Sequence, residues 1–226
     1  MYCKVEAYDY LKSRNATRLC HFTKVKSLTH ILRDDLGIRS TDLINPGVKQ
    51  QNDKERLDNA TDYVCCSLQY PNSWYWRQAK GRDVDKVFQE WVVLSIDLAI
   101  LKETKCKFCP YNAAVGRGAG ISDNLANIYT LFDSPIRGRS RTPRMLDCCP
   151  TNDQAEILVH KNIPLNYVNQ IIVGDCSTAN HIFSILLTTN NNIPVYIAPD
   201  VCNTNWSAMV RNGQTPLETQ YFHRSE

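Results

Sequence analysis

One short segment, Asp153-Gln154-Ala155-Glu156-Ile157-Leu158-Val159, constrains the fold of this chain more than any other. It reads as a β-strand, and successive side chains on a strand point to opposite faces of the sheet. Ala155, Ile157 and Val159 then share an apolar face that packs on a core, while Gln154 and Glu156 share the other. A carboxylate on a central strand is costly unless it is paired or opens onto a wet cleft. Either the strand emerges into solvent at its first residues or a polar cleft lies over it.

A second segment favours the cleft. Leu19-Cys20-His21-Phe22-Thr23 also alternates, with His21 and Thr23 on one face and Cys20 and Phe22 on the other. Val25, Leu28, Ile31 and Leu32 follow at helical spacing. Gly37 is placed to end that helix in the left-handed conformation. A strand bearing His and Thr thus feeds an amphipathic helix, and a later strand carries Glu. The two can meet in one cleft only if their strands are neighbours.

The remaining pattern is mixed. A strand is predicted over 90–96, and a helix with Ser122 as its N-cap carries Leu125, Ile128 and Leu131. A helical turn at 164–168 precedes a strand at 171–173. Thr178 is expected to cap a helix through Ile182, Ile185 and Leu186, and 194–197 reads as a last strand. The tail from Asn203 is polar with scattered rings. There is no repeat, no Walker-type phosphate loop and no GxGxxG fingerprint. A nucleotide, if bound, is therefore not expected in a doubly wound fold.

Length and composition place 1–226 as one domain with a sizeable core. No apolar run reaches the length of a membrane span, and the first residues lack a signal peptide's apolar stretch. Reduced thiols and a cytoplasmic location are the expectation for the ten cysteines. Cys106 and Cys109 have a zinc-like gap, but Cys148 and Cys149 are adjacent where structural sites use a spaced pair. No metal is expected. The net charge of +3 does not announce a nucleic-acid binder. Its distribution is more suggestive, because Arg137, Arg139, Arg141 and Arg144 fall in a Gly/Ser/Pro loop just before Glu156. Such a loop is either a solvated linker or a phosphate-contacting surface. The rings of Tyr70, Trp74, Tyr75 and Trp76 are either core or a stacking surface for a single strand.

Several blocks carry a family resemblance. Cys20-His21-Phe22-Thr23 with the following helix resembles the opening of the DarT-type ADP-ribosyltransferases, toxins that attach ADP-ribose from NAD to nucleic-acid bases. Arg56-Leu57-Asp58 with 63–72 resembles their middle segment, and Phe108-Cys109-Pro110-Tyr111-Asn112-Ala113-Ala114 resembles their central loop. Gln154-Ala155-Glu156, Val159-His160 and Ile163-Pro164 resemble their catalytic strand. The blocks run in the family's order over about residues 19 to 175. The resemblance implies an α+β fold, with NAD in the cleft of a split mixed β-sheet flanked by helices.

It also implies roles. Glu156 is the expected catalytic carboxylate, with Arg56 beside it to fix Glu156 or the NAD diphosphate by paired hydrogen bonds. A salt bridge from Arg56 to Asp53 or Asp58 is the plainer alternative. His21, Phe22, Thr23, Arg39 and Tyr70 are expected around NAD, and Asn72, Tyr75, Arg141 and Arg144 around the acceptor. Cleaving the bond from nicotinamide to ribose builds positive charge on the sugar, and a carboxylate bonded to the 2′-hydroxyl gains strength as that charge grows. The acceptor base must be unpaired or flipped. Single-stranded DNA is the expected partner, with guanosine favoured over thymidine and RNA an alternative. The expected antitoxin is an ADP-ribose-removing hydrolase. Two other classes fit the same residues: an enzyme of this fold acting on protein side chains, and a nucleic-acid-binding module without catalysis.

Overall fold

The computed structural model describes residues 2–33, 36–44, 56–81 and 90–223. Its strands are β1 (Arg18–Lys24), β2 (Ile38–Arg39), β3 (Tyr63–Leu68), β4 (Trp91–Asp97), β5 (Cys106–Cys109), β6 (Glu156–His160), β7 (Asn162–Ile163), β8 (Val168–Val173), β9 (Val195–Ile197) and β10 (Thr219–Gln220). Its helices are α1 (Tyr2–Ser13), α2 (Val25–Arg33), α3 (Ser73–Gly81), α4 (Ile100–Glu103), α5 (Cys176–Thr188), α6 (Pro199–Cys202) and α7 (Trp206–Arg211). Eight strands form one sheet in the order β10-β9-β8-β4-β1-β3-β6-β5, and β2 pairs with β7 as a small ribbon. Neighbouring strands run antiparallel except β8 and β9. Parallel partners need a crossover, and α5 supplies it.

The alternation of each strand feeds two opposite cores. Leu19, Val64, Cys66, Ile157 and Val159 pack on one face beneath α1, α2 and α5. Helix α2 contributes Val25, Leu28 and Leu32, the apolar stripe of its sequence. Cys20, Phe22, Val93 and Ile172 point the other way, against Trp76 of α3, Val201 of α6 and Trp206 and Val210 of α7. Leu158 turns to that side too, with Tyr63 and Cys109.

The middle of the sheet is where the site arises. β1 pairs with β4 along seven residues, from Arg18↔Asp97 to Lys24↔Trp91. β3 pairs with β6 along five, from Tyr63↔His160 to Ser67↔Glu156. β1 and β3 meet only at Leu19↔Leu68 and Cys20↔Ser67. From there the strands part, and the sheet is split. β1 and β6 are not neighbours, because β3 lies between them.

Several local expectations need correction. Thr178 does not cap α5; Asp175 does, its side chain accepting from the Thr178 N–H at 2.8 Å. Ser122 pairs with Phe108 instead of starting a helix, and 125–132 winds as a 3₁₀ helix. Gly37 has the left-handed φ of +66°, and residues 34–35, between it and α2, lie outside the described residues; the glycine also serves a close approach, since a Cβ there would stand 2.3 Å from the carbonyl of Ile163 on β7. The tail is structured: α7 buries Trp206, and β10 pairs with β9.

Candidate active site

Glu156 opens β6 between two partners, Ser67 on β3 and Cys109 on β5. It shares the face of Leu158, as alternation requires. After β5 the chain loops out from Pro110 and returns at Ser122, where two hydrogen bonds of 2.8 and 2.9 Å to Phe108 close the loop. Inside it, the Ala113 N–H donates to Glu156 Oε1 at 3.2 Å. Burial pushes the Glu156 carboxyl from the ordinary 4.5 up to about 7, and the charge of Asp58 adds to this; the Ala113 N–H, the Arg56 guanidinium and the Cys65 thiol act against it.

His21 reaches across the split. Its Nδ1 lies 2.9 Å from the Cys65 carbonyl oxygen of β3. A carbonyl only accepts, so Nδ1 carries the proton and Nε2 keeps its lone pair. Burial lowers the pKa of His21, which favours that neutral form. By register it is Cys20, not His21, that aligns with Ser67 and Glu156. The parting of β1 and β3 turns His21 into the gap, so the imidazole and the carboxyl meet through β3 and not as neighbours. Cys65 is the link: its carbonyl holds His21, while its thiol lies 3.7 Å from Asp58 Oδ2 and beside Glu156. Thr23 is buried further along the same strand.

Arg56 is more committed than expected. Its Nε and Nη2 donate to the two Asp58 carboxylate oxygens at 2.9 and 3.0 Å. Nη1 donates to Thr41 Oγ1 and the Tyr63 carbonyl, both at 3.1 Å, and Nη2 also to the Ala60 carbonyl. A guanidinium has five N–H groups, and these bonds engage all five. Arg56 therefore acts on Glu156 as a buried charge and does not offer a fork to a diphosphate. The alternative salt bridge to Asp58 is the one formed, buried and not at the surface. Asp53 lies outside the described residues.

Other expected contacts are spent elsewhere. Phe22 sits among rings, 5.7 Å from Tyr75, 5.0 Å from Trp76 and 5.8 Å from Trp91, and packs in the core. Tyr75 is half-buried against it. Tyr70 is buried and stacks on Trp206 at 5.1 Å, away from the split. Asn72 caps α3: its Oδ1 accepts from the Tyr75 N–H, and its own N–H donates to Ser67 Oγ, both at 2.9 Å. Arg39 lies on the β2–β7 ribbon opposite Asn162 and donates to the Leu43 carbonyl. Arg141 is half-buried; it donates to the carbonyls of Cys149 at 2.7 Å and Leu146 at 3.0 Å and braces its own loop. Arg144 is exposed.

Cys106 and Cys109 belong to β5, whereas Cys149 packs with Tyr70 and Trp206. Among the described residues no group of three or more His, Cys, Asp or Glu side chains could hold a metal ion. No helix among them is long and apolar enough to cross a membrane. A cavity of about 330 Å³ exists, but it lies at the far end of β1, lined by Arg18, Gln69, Tyr70 and Glu218, and not at Glu156. Cys65 and the Ala113 N–H are members of the site to which residue patterns gave no role, and Asp58 was named only within the Arg56-Leu57-Asp58 block and as a salt-bridge partner of Arg56.

A search of curated proteins finds no match. Among solved structures the chain is similar to DarT of Thermus sp. 2.9 in complex with ADP-ribosylated ssDNA, at 17% identity and TM-score 0.61, covering 82% of this chain and 96% of that one. The same protein in complex with NAD+ aligns at 18% identity, TM-score 0.61 and the same coverage. Thermosipho africanus DarTG in complex with ADP-ribose aligns at 15% identity and TM-score 0.57, covering 82% of this chain and 50% of that one. At these identities the likeness is one of fold. A family model described as DarT, ssDNA thymidine ADP-ribosyltransferase, matches residues 20–206. That match spans the split sheet, the Glu156 strand and the loops around them, and the chain belongs to the DarT family of ADP-ribosyltransferases.

Proposed function

We propose that this protein transfers ADP-ribose from NAD to a nucleobase of single-stranded DNA and releases nicotinamide. The observation that carries the reading is the enclosed Glu156 carboxyl, held by the Ala113 N–H at the edge of a split that His21 spans. The Glu156 carboxylate accepts the ribose 2′-hydroxyl and stabilises the cation that forms as the bond from C1′ to nicotinamide breaks. Nicotinamide leaves with the bonding pair. A base nitrogen or amine supplies the pair for the new bond to C1′, and its proton passes to Glu156 and then to water. The Nε2 lone pair of His21 accepts a further ribose hydroxyl. Arg56 places positive charge near Glu156 and keeps part of the carboxyl ionised at neutral pH.

An unpaired acceptor suits this geometry, since bases inside a duplex are stacked out of reach. Thermus sp. 2.9 DarT forms complexes with NAD+ and with ADP-ribosylated ssDNA, which supports the same donor and acceptor class here. A guanosine preference is supported by the forms Arg-Leu-Asp, Tyr-Pro-Asn and Phe-Cys-Pro-Tyr-Asn-Ala-Ala, which resemble the guanosine branch, although the family description names thymidine. In this reading the protein is a cytoplasmic toxin, a single domain over 1–226, whose antitoxin is a hydrolase that removes ADP-ribose. The test is incubation with NAD and single-stranded oligonucleotides of defined base content, followed by mass spectrometry. One ADP-ribose added to guanosine-containing strands is expected. Modification of thymidine alone overturns the base preference, transfer to RNA alone replaces the acceptor, and no transfer to any strand overturns the reading.

A further inference from the structure

The four arginines before Glu156 are not equivalent. Arg139 ion-pairs with Asp153 at 3.6 Å, and Arg141 is bonded to two carbonyls. Arg137 makes neither kind of contact among the described residues. It sits at the tip of a tight hairpin fixed by two bonds between Ile136 and Arg139, of 2.8 and 2.9 Å. Ile136 anchors that hairpin in the core, and Gly138 at φ +77° closes it. The Arg137 side chain is exposed, yet it is not adrift. Its guanidinium lies over the ring of Tyr111, 5.0 Å from the centroid.

Tyr111 is itself fixed. A Cβ on Gly120 would stand 2.5 Å from its Cζ and Oη, so the ring lies against bare glycine backbone. It belongs to the loop whose Ala113 N–H holds Glu156, two residues further on. Consecutive Cα atoms are about 3.8 Å apart, which keeps Tyr111 within roughly 8 Å of that N–H along the chain. The ring thus has glycine backbone against its phenolic end and the guanidinium over it, on the loop that holds the carboxyl, and the outermost group is an exposed flat cation. Single-stranded bases stack on aromatic rings and on guanidinium planes, and a cation over a ring is held more firmly than a free side chain.

We propose that Arg137, backed by Tyr111, is a stacking platform for the nucleobase next to the one that is modified. The proposal rests on the reading that the acceptor is a single strand. Arg137 then fixes where the strand lies and makes the enzyme sensitive to the presence of the neighbouring base. Arginine and lysine differ here in a useful way, because lysine keeps the charge and lacks the plane.

The experiment compares the wild-type protein with Arg137→Lys on oligonucleotides bearing an abasic site on either side of the target. With wild type, an abasic site on one side lowers kcat/KM by about tenfold or more, the size of one base stack. Arg137→Lys lowers kcat/KM on the intact strand by a similar factor and no longer distinguishes the abasic strand from it. An abasic effect that persists unchanged in Arg137→Lys overturns the platform. So does a full-rate Arg137→Lys paired with an Arg137→Ala that only flattens the salt dependence, which makes Arg137 a phosphate contact. If wild type consumes NAD but modifies no oligonucleotide, the failure lies with the acceptor reading and not with the stack.

Discussion

Glu156 is held where its chemistry is useful and its charge is expensive. Its carboxyl ionises at about 7 in the folded protein, against an ordinary 4.5. The native state therefore binds this proton more tightly than the unfolded chain, and its advantage is complete below 4.5 and lost as pH rises to 7. Above 7 the buried charge costs on the order of 3 kcal/mol. Glu156→Gln removes that cost. It should melt several degrees above wild type at pH 8, and the gap should close as pH falls toward 4.5; equal melting temperatures at pH 8 would contradict the enclosed carboxyl. The same substitution should lower transfer at least roughly 10²-fold, the usual cost of one transition-state electrostatic group. Wild-type kcat/KM should rise with pH through about 7, because the ionised form of the free enzyme is the working one. A flat profile from pH 6 to 8 would assign the step to another group. Glu156 was legible in the sequence because a carboxylate in an apolar strand is anomalous. Its supports were not: the Ala113 contact is a backbone N–H, and the Cys65 thiol reaches Glu156 only through the pairing of β3 with β6.

At the scale of elements, the loop from 133 to 150 and the start of α3 show how rings and arginines mislead. A run of arginines in a Gly/Ser/Pro stretch looks uniform, yet Arg141 is a brace and Arg144 is exposed. Arg144→Ala should flatten the slope of log affinity against log salt by about 0.7 if it meets one phosphate of a single strand. Arg141→Ala should instead lower stability, since two part-buried carbonyls lose their donor; a filter-binding salt series and a urea melt on each variant separate the two. Asn72, adjacent to a ring-rich segment, looked like a base contact. It caps α3, so Asn72→Ala should cost about 1 kcal/mol in a urea melt and leave the ratio of guanosine to thymidine modification unchanged. A changed ratio would return Asn72 to the acceptor side. Strands and helices with strong periodicity, such as β4, β6, α2 and α5, were readable from the chain. The start of α5 moved because Asp175 accepts from the Thr178 N–H and so caps the helix three residues earlier, a choice between two possible caps that pattern alone does not rank.

Across the whole molecule, the contact least visible in the sequence ties the two ends together. Arg18 opens β1, and Glu218 precedes β10, 200 residues later. The two form a paired contact, with Arg18 Nη1 2.8 Å from Glu218 Oε2 and Nη2 reaching Oε1, while Nε donates to the Gln69 carbonyl at 2.9 Å. Both side chains are largely buried, at 7% and 17% exposure. The polar tail gave no hint of this, because charge pairing across such a separation leaves no periodic trace. Its energetic role follows from burial. Two charges taken from water gain little net stability as a pair, but removing one strands the other without solvent. Glu218→Ala should therefore cost about 3 kcal/mol or more in urea unfolding, with Arg18 left buried against the Tyr70 ring. Replacing both, as Arg18→Met with Glu218→Leu, should recover most of the loss, since an apolar pair of similar volume has no charge to strand. Additive losses in the double variant would show that each side chain matters for its own packing and not for the pair. A Glu218→Ala protein within about 0.5 kcal/mol of wild type, the usual range for surface changes, would mean that the tail rests on the sheet without closing it.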